Sequence, residues 1–391
     1  MPSRDIVVLA TGQALTGTAT SLLTSVSSLS GSYLAPVPSL STLPVTASIL
    51  GTLLMIYPAA ALMGRLGRRG GFMFKALIGI IGGAVCAIGL VIASFSTLIV
   101  GTFLLGLFIA FGQYYRFAAI DAASSPQQRT SAVAIVTGAG VVGGLTGPVL
   151  GSHFADALGS APYAGAFVAL SLVCICLAAS QFLLSADLGR DAGAPDGRTS
   201  APKFTLDAAF VKASAICAVG FAVMTLTMNA APLSLRQCGY SLSVSSTVLQ
   251  VHFALMYLPS FFNPALVSRV GVRGLVGLGA VASGAGCILT ALPEQTLGVY
   301  FLELGLSGIG WNFIFNGGTL LVANTYPAAA KMRAQGLNSL LVYSANLVAS
   351  FSAGALMAAS GWEAVNLVCL PLLAGAVLAL RQRKVAKAAL P

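Results

Sequence analysis

The segment AALMGRLGRRGG, residues 60–71, lies between two apolar stretches and brings three arginines together with four glycines. A related hexapeptide occurs in the second half of the chain, where RVGVRG (Arg269–Gly274) corresponds to RLGRRG (Arg65–Gly70). Each hexapeptide follows the second apolar stretch of its half. Self-similarity at a fixed offset is the signature of an internal repeat. The sequence therefore predicts two similar halves, each with the same order of apolar segments.

The composition predicts an all-α membrane protein. Of the 391 residues, 57% are hydrophobic and only 8% are charged, which is far more apolar than the core of a water-soluble domain requires. A membrane-spanning helix needs about 20 mostly apolar residues. The sequence predicts twelve such helices in two six-helix halves, at residues 6–28, 41–63, 71–94, 97–118, 130–154, 161–184, 208–233, 243–267, 275–292, 297–320, 334–359 and 364–380.

A polar segment rich in Gly, Pro and Asp separates the halves. The predicted division is an N-terminal half over residues 1–185, a connector over residues 186–207, and a C-terminal half with a tail over residues 208–391. Twelve spans place both termini on one side of the membrane. If that side is cytoplasmic, every one of the 20 Lys and Arg residues except Arg236 lies on or near a cytoplasmic segment. We therefore expect a cytoplasmic connector and cytoplasmic termini.

The arginine-rich segment resembles the signature loop of the major facilitator superfamily. Arg65, Gly67, Arg68 and Arg69 match that motif, whereas Gly64 occupies its acidic position. The repeat extends the match to the second half, at Arg269, Gly271 and Arg273. The resemblance implies a secondary carrier with gating loops at these two places and a binding site between its halves. A shared fold does not identify the transported substrate.

Two pairs of residues predict a site for a soft metal ion. Met224 and Met228 are four residues apart in the seventh predicted helix, and His252 and Met256 have the same spacing in the eighth. Residues at i and i+4 lie on one face of a helix, so three thioethers and one imidazole could face a common point. Sulfur and imidazole ligands suit Cu(I). The alternative is that the methionines fill gaps in the core.

These four residues also resemble, position by position, the paired motifs of the CcoA-like copper importers. The resemblance implies import of copper, free or chelated, across the bacterial inner membrane, to supply the assembly of a haem-copper cytochrome oxidase. It also implies downstream partners such as copper chaperones or oxidase assembly proteins. Copper would be the transported substrate, and no permanently bound cofactor is expected.

Three further residues extend the predicted path. Cys217 lies seven residues before Met224 on the same predicted helix, and Cys238 lies beyond the outer end of that helix. Thiols bind soft metals, so these residues are candidates for a metal relay. Glu303 is an acid well inside a predicted span, where carboxyl groups often mark ion or proton pathways. We expect it to act in coupling or to form a structural hydrogen bond.

The remaining functional classes are narrowed by what the sequence lacks. It contains no P-loop motif, so ATP hydrolysis is not expected to drive transport. Basic residues are scattered between apolar spans, which does not favour nucleic-acid binding. The sequence contains neither a pair of acidic residues nor a nucleophile and a base at the spacing that an enzyme active site requires, so an enzyme is not indicated. Two alternatives to copper import stay open: a carrier or exporter of a small organic solute or drug, and a membrane-embedded factor that delivers copper without transport.

Overall fold

A computed structural model describes residues 4–123, 126–159, 161–186, 188, 207–292, 295–326 and 331–380. Throughout these residues the regular secondary structure is helical. The first group of helices, which we call the first bundle, comprises α1 (Arg4–Leu34), α2 (Leu43–Val91), α3 (Phe95–Gly112), α4 (Tyr115–Asp121), α5 (Pro126–Phe154) and α6 (Ala164–Phe182). The second bundle comprises α7 (Ala208–Gln237), α8 (Leu242–Tyr257), α9 (Asn263–Leu289), α10 (Leu297–Ala323), α11 (Lys331–Leu367) and α12 (Cys369–Ala379).

Polar residues at helix starts fix several of these boundaries. The side chain of Asp207 accepts a 2.7 Å hydrogen bond from the backbone N–H of Phe210, which caps α7. Ser94 and Ser241 cap α3 and α8 in the same way. A side-chain oxygen at this position satisfies a backbone N–H that has no partner within the helix. The helix α7 thus begins at Ala208, the residue at which the sequence predicts that the seventh span starts.

Glycines with positive φ produce sharp bends where loops were expected. Between the predicted spans 41–63 and 71–94, α2 continues through the arginine-rich segment and bends at Gly67, which has φ 72° and ψ 172°. The related bend in α9 occurs at Gly271, with φ 73° and ψ 168°. Glycine reaches this region without the steric penalty of a side chain. The expected loops are thus single-residue breaks between helices.

The helices have the length and surface of membrane-spanning segments. Within the described ranges, nine helical segments are long and apolar enough to cross a membrane, and the longest two contain 54 and 46 residues. Each of these two is about twice the length that one crossing needs. Large apolar side chains also remain exposed on the outside, including Val281 and Val348 at 69% and 67%. The protein is a multi-pass membrane protein, and the count of twelve spans stays a prediction.

The glycine-rich run of α5 packs tightly against α1. A Cβ atom placed on Gly143 would lie 2.4 Å from the backbone nitrogen of Thr18. One placed on Gly147 would lie 1.9 Å from the Ser21 hydroxyl oxygen. Small residues allow such close approach of helices in a bilayer. The connector predicted over residues 186–207 lies almost wholly outside the described residues, so the predicted domain boundaries stay predictions.

Candidate functional site

Hydrogen bonds between the two bundles close one end of the molecule. This end, which we call the closed end, is where α1 is followed by the short 3₁₀ turn Pro38–Leu40 and then by α2. Thr42 on the first bundle donates to the backbone oxygen of Ser350 on α11 over 2.8 Å, and it accepts from the N–H of Gly354 over 3.1 Å. The hydroxyl oxygens of Thr46 and Ser350 lie 3.0 Å apart. Arg236 also donates to the hydroxyl group of Tyr163 across the bundles.

A cavity of about 280 Å³ lies between the bundles. It extends to the last turns of α3 and α8, at the end of the molecule opposite the closed end. One wall is polar and consists largely of α1 side chains, whereas α8 supplies two aromatic rings. The residues that line it are Gln13, Thr16, Gly17, Thr20, Ser21, Ile109, Gly112, Gln113, Val136, Gly140, Gly144, Phe253 and Tyr257. A cavity with an apolar face and a few polar groups is typical of a small-molecule site.

An aromatic layer lies behind the α8 wall of the cavity. The ring of Trp311 stacks on that of Phe315, with 5.2 Å between centroids, and contacts Phe221 edge to face at 5.3 Å. Tyr257 connects this layer to the cavity, because its ring centroid lies 6.4 Å from that of Trp311. The Trp311 indole nitrogen is buried and has no hydrogen-bond partner among the described residues. The layer therefore offers flat ring faces and one unused donor.

The structure brings together the three predicted methionine ligands. Met224, Met228 and Met256 belong to one buried apolar cluster, which also contains Leu249, Phe253 and Trp311. His252 is fully buried on the same helix as Met256. Its Nδ1 atom lies 2.7 Å from the carbonyl oxygen of Leu304, which can only accept a hydrogen bond, so Nδ1 carries the proton. Its Nε2 atom has no hydrogen-bond partner in the described part of the chain, and in the neutral imidazole this atom carries a free lone pair.

The predicted relay cysteines lie apart from this cluster. Cys217 is buried in a different apolar cluster, with Phe210 and Val322. Its sulfur would lie 2.6 Å from a Cβ atom placed on Gly318, so it faces α10. Cys238 is exposed after the last turn of α7, and its sulfur lies 3.4 Å from the Tyr300 hydroxyl oxygen. Cys217 and Met224 thus belong to separate apolar clusters, and the metal relay stays a prediction.

Glu303 is fully buried within the second bundle. Neither of its carboxyl oxygens has a hydrogen-bond partner among the described residues. Its backbone lies against α9, because a Cβ atom on Gly286 would be 3.0 Å from the Glu303 carbonyl oxygen. It does not line the central cavity. A coupling role for this carboxyl group stays a prediction.

The predicted gating residues lie at the bends of α2 and α9. Arg68 forms an ion pair with Asp121, with 2.9 Å between Nε and Oδ2. The Arg69 guanidinium lies 4.5 Å from the ring centroid of Phe182. The remaining side chains, Arg65, Arg269 and Arg273, are exposed. Arg68 of the motif thus pairs with a carboxylate from α4, while position 64 of the motif is a glycine.

Lys75 is a buried ionisable residue of α2 for which the sequence predicted no role. Its side chain is fully buried in α2, and Nζ donates a 2.5 Å hydrogen bond to the Thr16 hydroxyl oxygen. From the sequence, it is counted only among the Lys and Arg residues on or near a cytoplasmic segment. A lysine inside a span was nevertheless a signal, because ionisable groups are costly there and tend to serve a function.

Comparisons with known proteins agree with this architecture. A family model described as Major Facilitator Superfamily matches residues 9–261. The riboflavin transporter RfnT of Brucella anthropi is 34% identical over 379 residues, covering 95% of this chain and 93% of that protein. The uncharacterized MFS-type transporter YddS of Bacillus subtilis is 28% identical over 345 residues, covering 82% of this chain and 77% of that protein.

A structural comparison shows the same fold. The xylose transporter XylE from E. coli, in an inward open conformation, has a TM-score of 0.74 at 13% identity, with 97% of each chain covered. The predicted fold is therefore confirmed. The copper-importer subfamily stays a prediction, because the relative at 34% identity is named for riboflavin. By its family model, its relatives and its helical architecture, this chain belongs to the major facilitator superfamily of secondary transporters.

Proposed function

We propose that this chain carries a small organic solute by alternating access, and that a flavin is the first candidate. The observation that carries the proposal is the two-sided cavity between the bundles, with hydroxyl and amide groups on α1 and aromatic rings on α8. A flavin is a flat heteroaromatic ring with polar edges. Ring faces such as that of Phe253 can pack on its plane, while Gln13 and Gln113 can bond its edge.

The named relative supports the same class of solute. The riboflavin transporter of Brucella anthropi matches nearly the whole of this chain, so a similar cavity is expected in both proteins. The aromatic layer behind the cavity also favours a ring-shaped solute. A solute ring bound next to Tyr257 would be separated from Trp311 only by the Tyr257 side chain. We further propose that the protein lies in a bacterial inner membrane with both termini cytoplasmic, as the distribution of Lys and Arg indicates.

Quenching of riboflavin fluorescence by the purified protein tests this proposal. Stacking of the flavin on aromatic side chains should quench its emission in a saturable way. Phe253→Ala should weaken the affinity about tenfold, because it removes one ring face from the cavity. Phe261→Ala is the matched control, since that ring is 73% exposed and lies outside the cavity. Absence of saturable quenching, or equal affinities in all three proteins, would contradict the flavin assignment.

Copper is a second candidate, supported by the methionine cluster. Met224, Met228 and Met256 share one buried cluster, and His252, on the same helix as Met256, has an Nε2 atom without a partner among the described residues. These are soft and borderline ligands that suit Cu(I). The cluster also contains Leu249, Phe253 and Trp311, which is the composition of an ordinary packed core. The organic solute is therefore the better supported substrate.

A further inference from the structure

Lys75 lies immediately behind the polar wall of the central cavity. Its Nζ atom donates to the hydroxyl oxygen of Thr16, and Thr16 itself lines the cavity. Gly112 also lines the cavity, and a Cβ atom placed on it would lie 3.7 Å from Nζ. Because Gly112 has no side chain, the ammonium group is separated from the cavity by about the distance of one van der Waals contact.

No carboxylate in the described part of the chain forms an ion pair with this ammonium group. Its partners are the Thr16 hydroxyl oxygen and the faces of two aromatic rings, Phe108 and Tyr115, whose centroids each lie 4.6 Å from Nζ. An ammonium group has three N–H donors, and one of them is used in a hydrogen bond. The ring faces attract a cation but do not neutralise it.

An ammonium group buried without a counter-charge costs several kcal/mol, so an amine at this position is stably ionised only when an anion is close to it. The acids described in the first bundle and its loops, Asp5, Asp121 and Asp156, lie at helix ends or in loops, and none pairs with Lys75. The neighbouring ionisable groups from the packed helices are the Tyr115 phenol and the Cys174 thiol. The remaining direction from which an anion can approach is the cavity, past Thr16 and Gly112.

We propose that Lys75 and Thr16 form a subsite for an acidic group of the transported solute, such as a carboxylate. The inference rests on the proposed function, since it assumes that the cavity receives an organic molecule. An anionic group at the Gly112 position of the wall would supply the missing counter-charge and accept one of the unused N–H donors. Lys75 is then a specificity-determining residue that favours an acidic solute over a neutral solute of the same shape, whereas riboflavin, which has no carboxylate, binds in the cavity without using this subsite.

The test compares two ligands of equal shape that differ in charge. Thermal unfolding of the purified full chain is measured against increasing benzoate and increasing benzamide. A hydrogen bond to a charged group corresponds to a preference of about tenfold or more for benzoate. Lys75→Met should reduce this preference to within about twofold, because it keeps the length of the side chain and removes its charge. Lys212→Met, the same change at an exposed site on α7, should leave the preference intact.

Gly112→Ala provides a second variant that keeps the charge. Its methyl group would lie between the cavity and Nζ, so the benzoate preference should fall although Lys75 is present. Equal binding of benzoate and benzamide by the unmodified protein, or a preference retained in both Lys75→Met and Gly112→Ala, would overturn the subsite. If the preference depends on Lys75 but riboflavin does not bind, the flavin assignment fails and the subsite stands. If riboflavin binds and there is no preference for benzoate, the subsite fails alone.

Discussion

The Thr42 hydroxyl group of the first bundle makes two hydrogen bonds to α11 of the second, one to the Ser350 carbonyl oxygen and one from the Gly354 N–H. Under the proposed alternating-access cycle, both bonds must break when this end opens. Thr42→Val removes both bonds while keeping the shape of the side chain. Each bond contributes about 1 kcal/mol, so the population open at this end should rise by roughly an order of magnitude or more.

Spin labels at Val37 and Gln237, on opposite bundles at the closed end, would measure this change as a longer distance distribution. Thr11→Val is the matched control, because the Thr11 hydroxyl group bonds to the Val7 carbonyl oxygen within α1 and is exposed. An unchanged distribution in Thr42→Val would show that these bonds do not hold the closed end together.

Gly271 tests the bend in α9. No described atom lies within 4 Å of a Cβ atom placed there, so Gly271→Ala introduces backbone strain without a clash. With φ at 73°, the cost should be about 1–2 kcal/mol and the unfolding temperature should fall. Gly277→Ala is the control, because its site is equally open but helical, and alanine favours a helix. A similar change in unfolding temperature for both variants would contradict the role of positive φ.

The methionine cluster gives the copper candidate a separate test. If Cu(I) is a substrate, Met228→Leu should lower its initial uptake about tenfold or more, because leucine keeps the volume and removes the thioether ligand. Met357→Leu is the control, since Met357 is equally buried but belongs to another apolar cluster. Measurements use copper uptake into liposomes at equal protein content. If Met228→Leu and Met357→Leu take up copper at the same rate, the methionine cluster is only a packed core. The His252→Ala variant should then also transport copper at the normal rate.

Glu303 tests proton coupling. A fully buried carboxyl group without a hydrogen-bond partner among the described residues is costly when ionised, so a proton-carrying role would justify its position. Glu303→Gln should then abolish the dependence of uptake on an imposed proton gradient, while substrate binding is retained. Glu363→Gln, at an exposed site on α11, should keep that dependence. If both variants respond to the gradient as the unmodified protein does, Glu303 is structural.

The helices and the repeat were predictable because both depend on local pattern. Apolar length gives a span, and the two arginine-rich hexapeptides fix the equivalence of α2 and α9. The sequence pattern did not predict how the two apolar segments on either side of the arginine-rich hexapeptide are connected. An arginine-rich polar segment suggests a loop, yet one positive-φ glycine at Gly67 suffices to redirect the helix.

The site was less predictable because it depends on neighbours from other helices. The spacing of seven residues places Cys217 and Met224 on the same face of α7. They are about two helical turns apart, however, so they pack against different residues, and their side chains belong to separate apolar clusters. The burial of Lys75 was unpredictable for a related reason, because it depends on the rings of Phe108 and Tyr115, which come from other helices.

The central claim is that the cavity between the bundles carries an organic solute of the flavin class, and transport by the purified full chain in liposomes tests it most directly. Accumulation of radiolabelled riboflavin and of radioactive copper is measured in parallel against liposomes without protein. The proposed function predicts saturable riboflavin accumulation that is weakened in Phe253→Ala and retained in Phe261→Ala, with copper at the background level. Copper accumulation with riboflavin at the background level would contradict it.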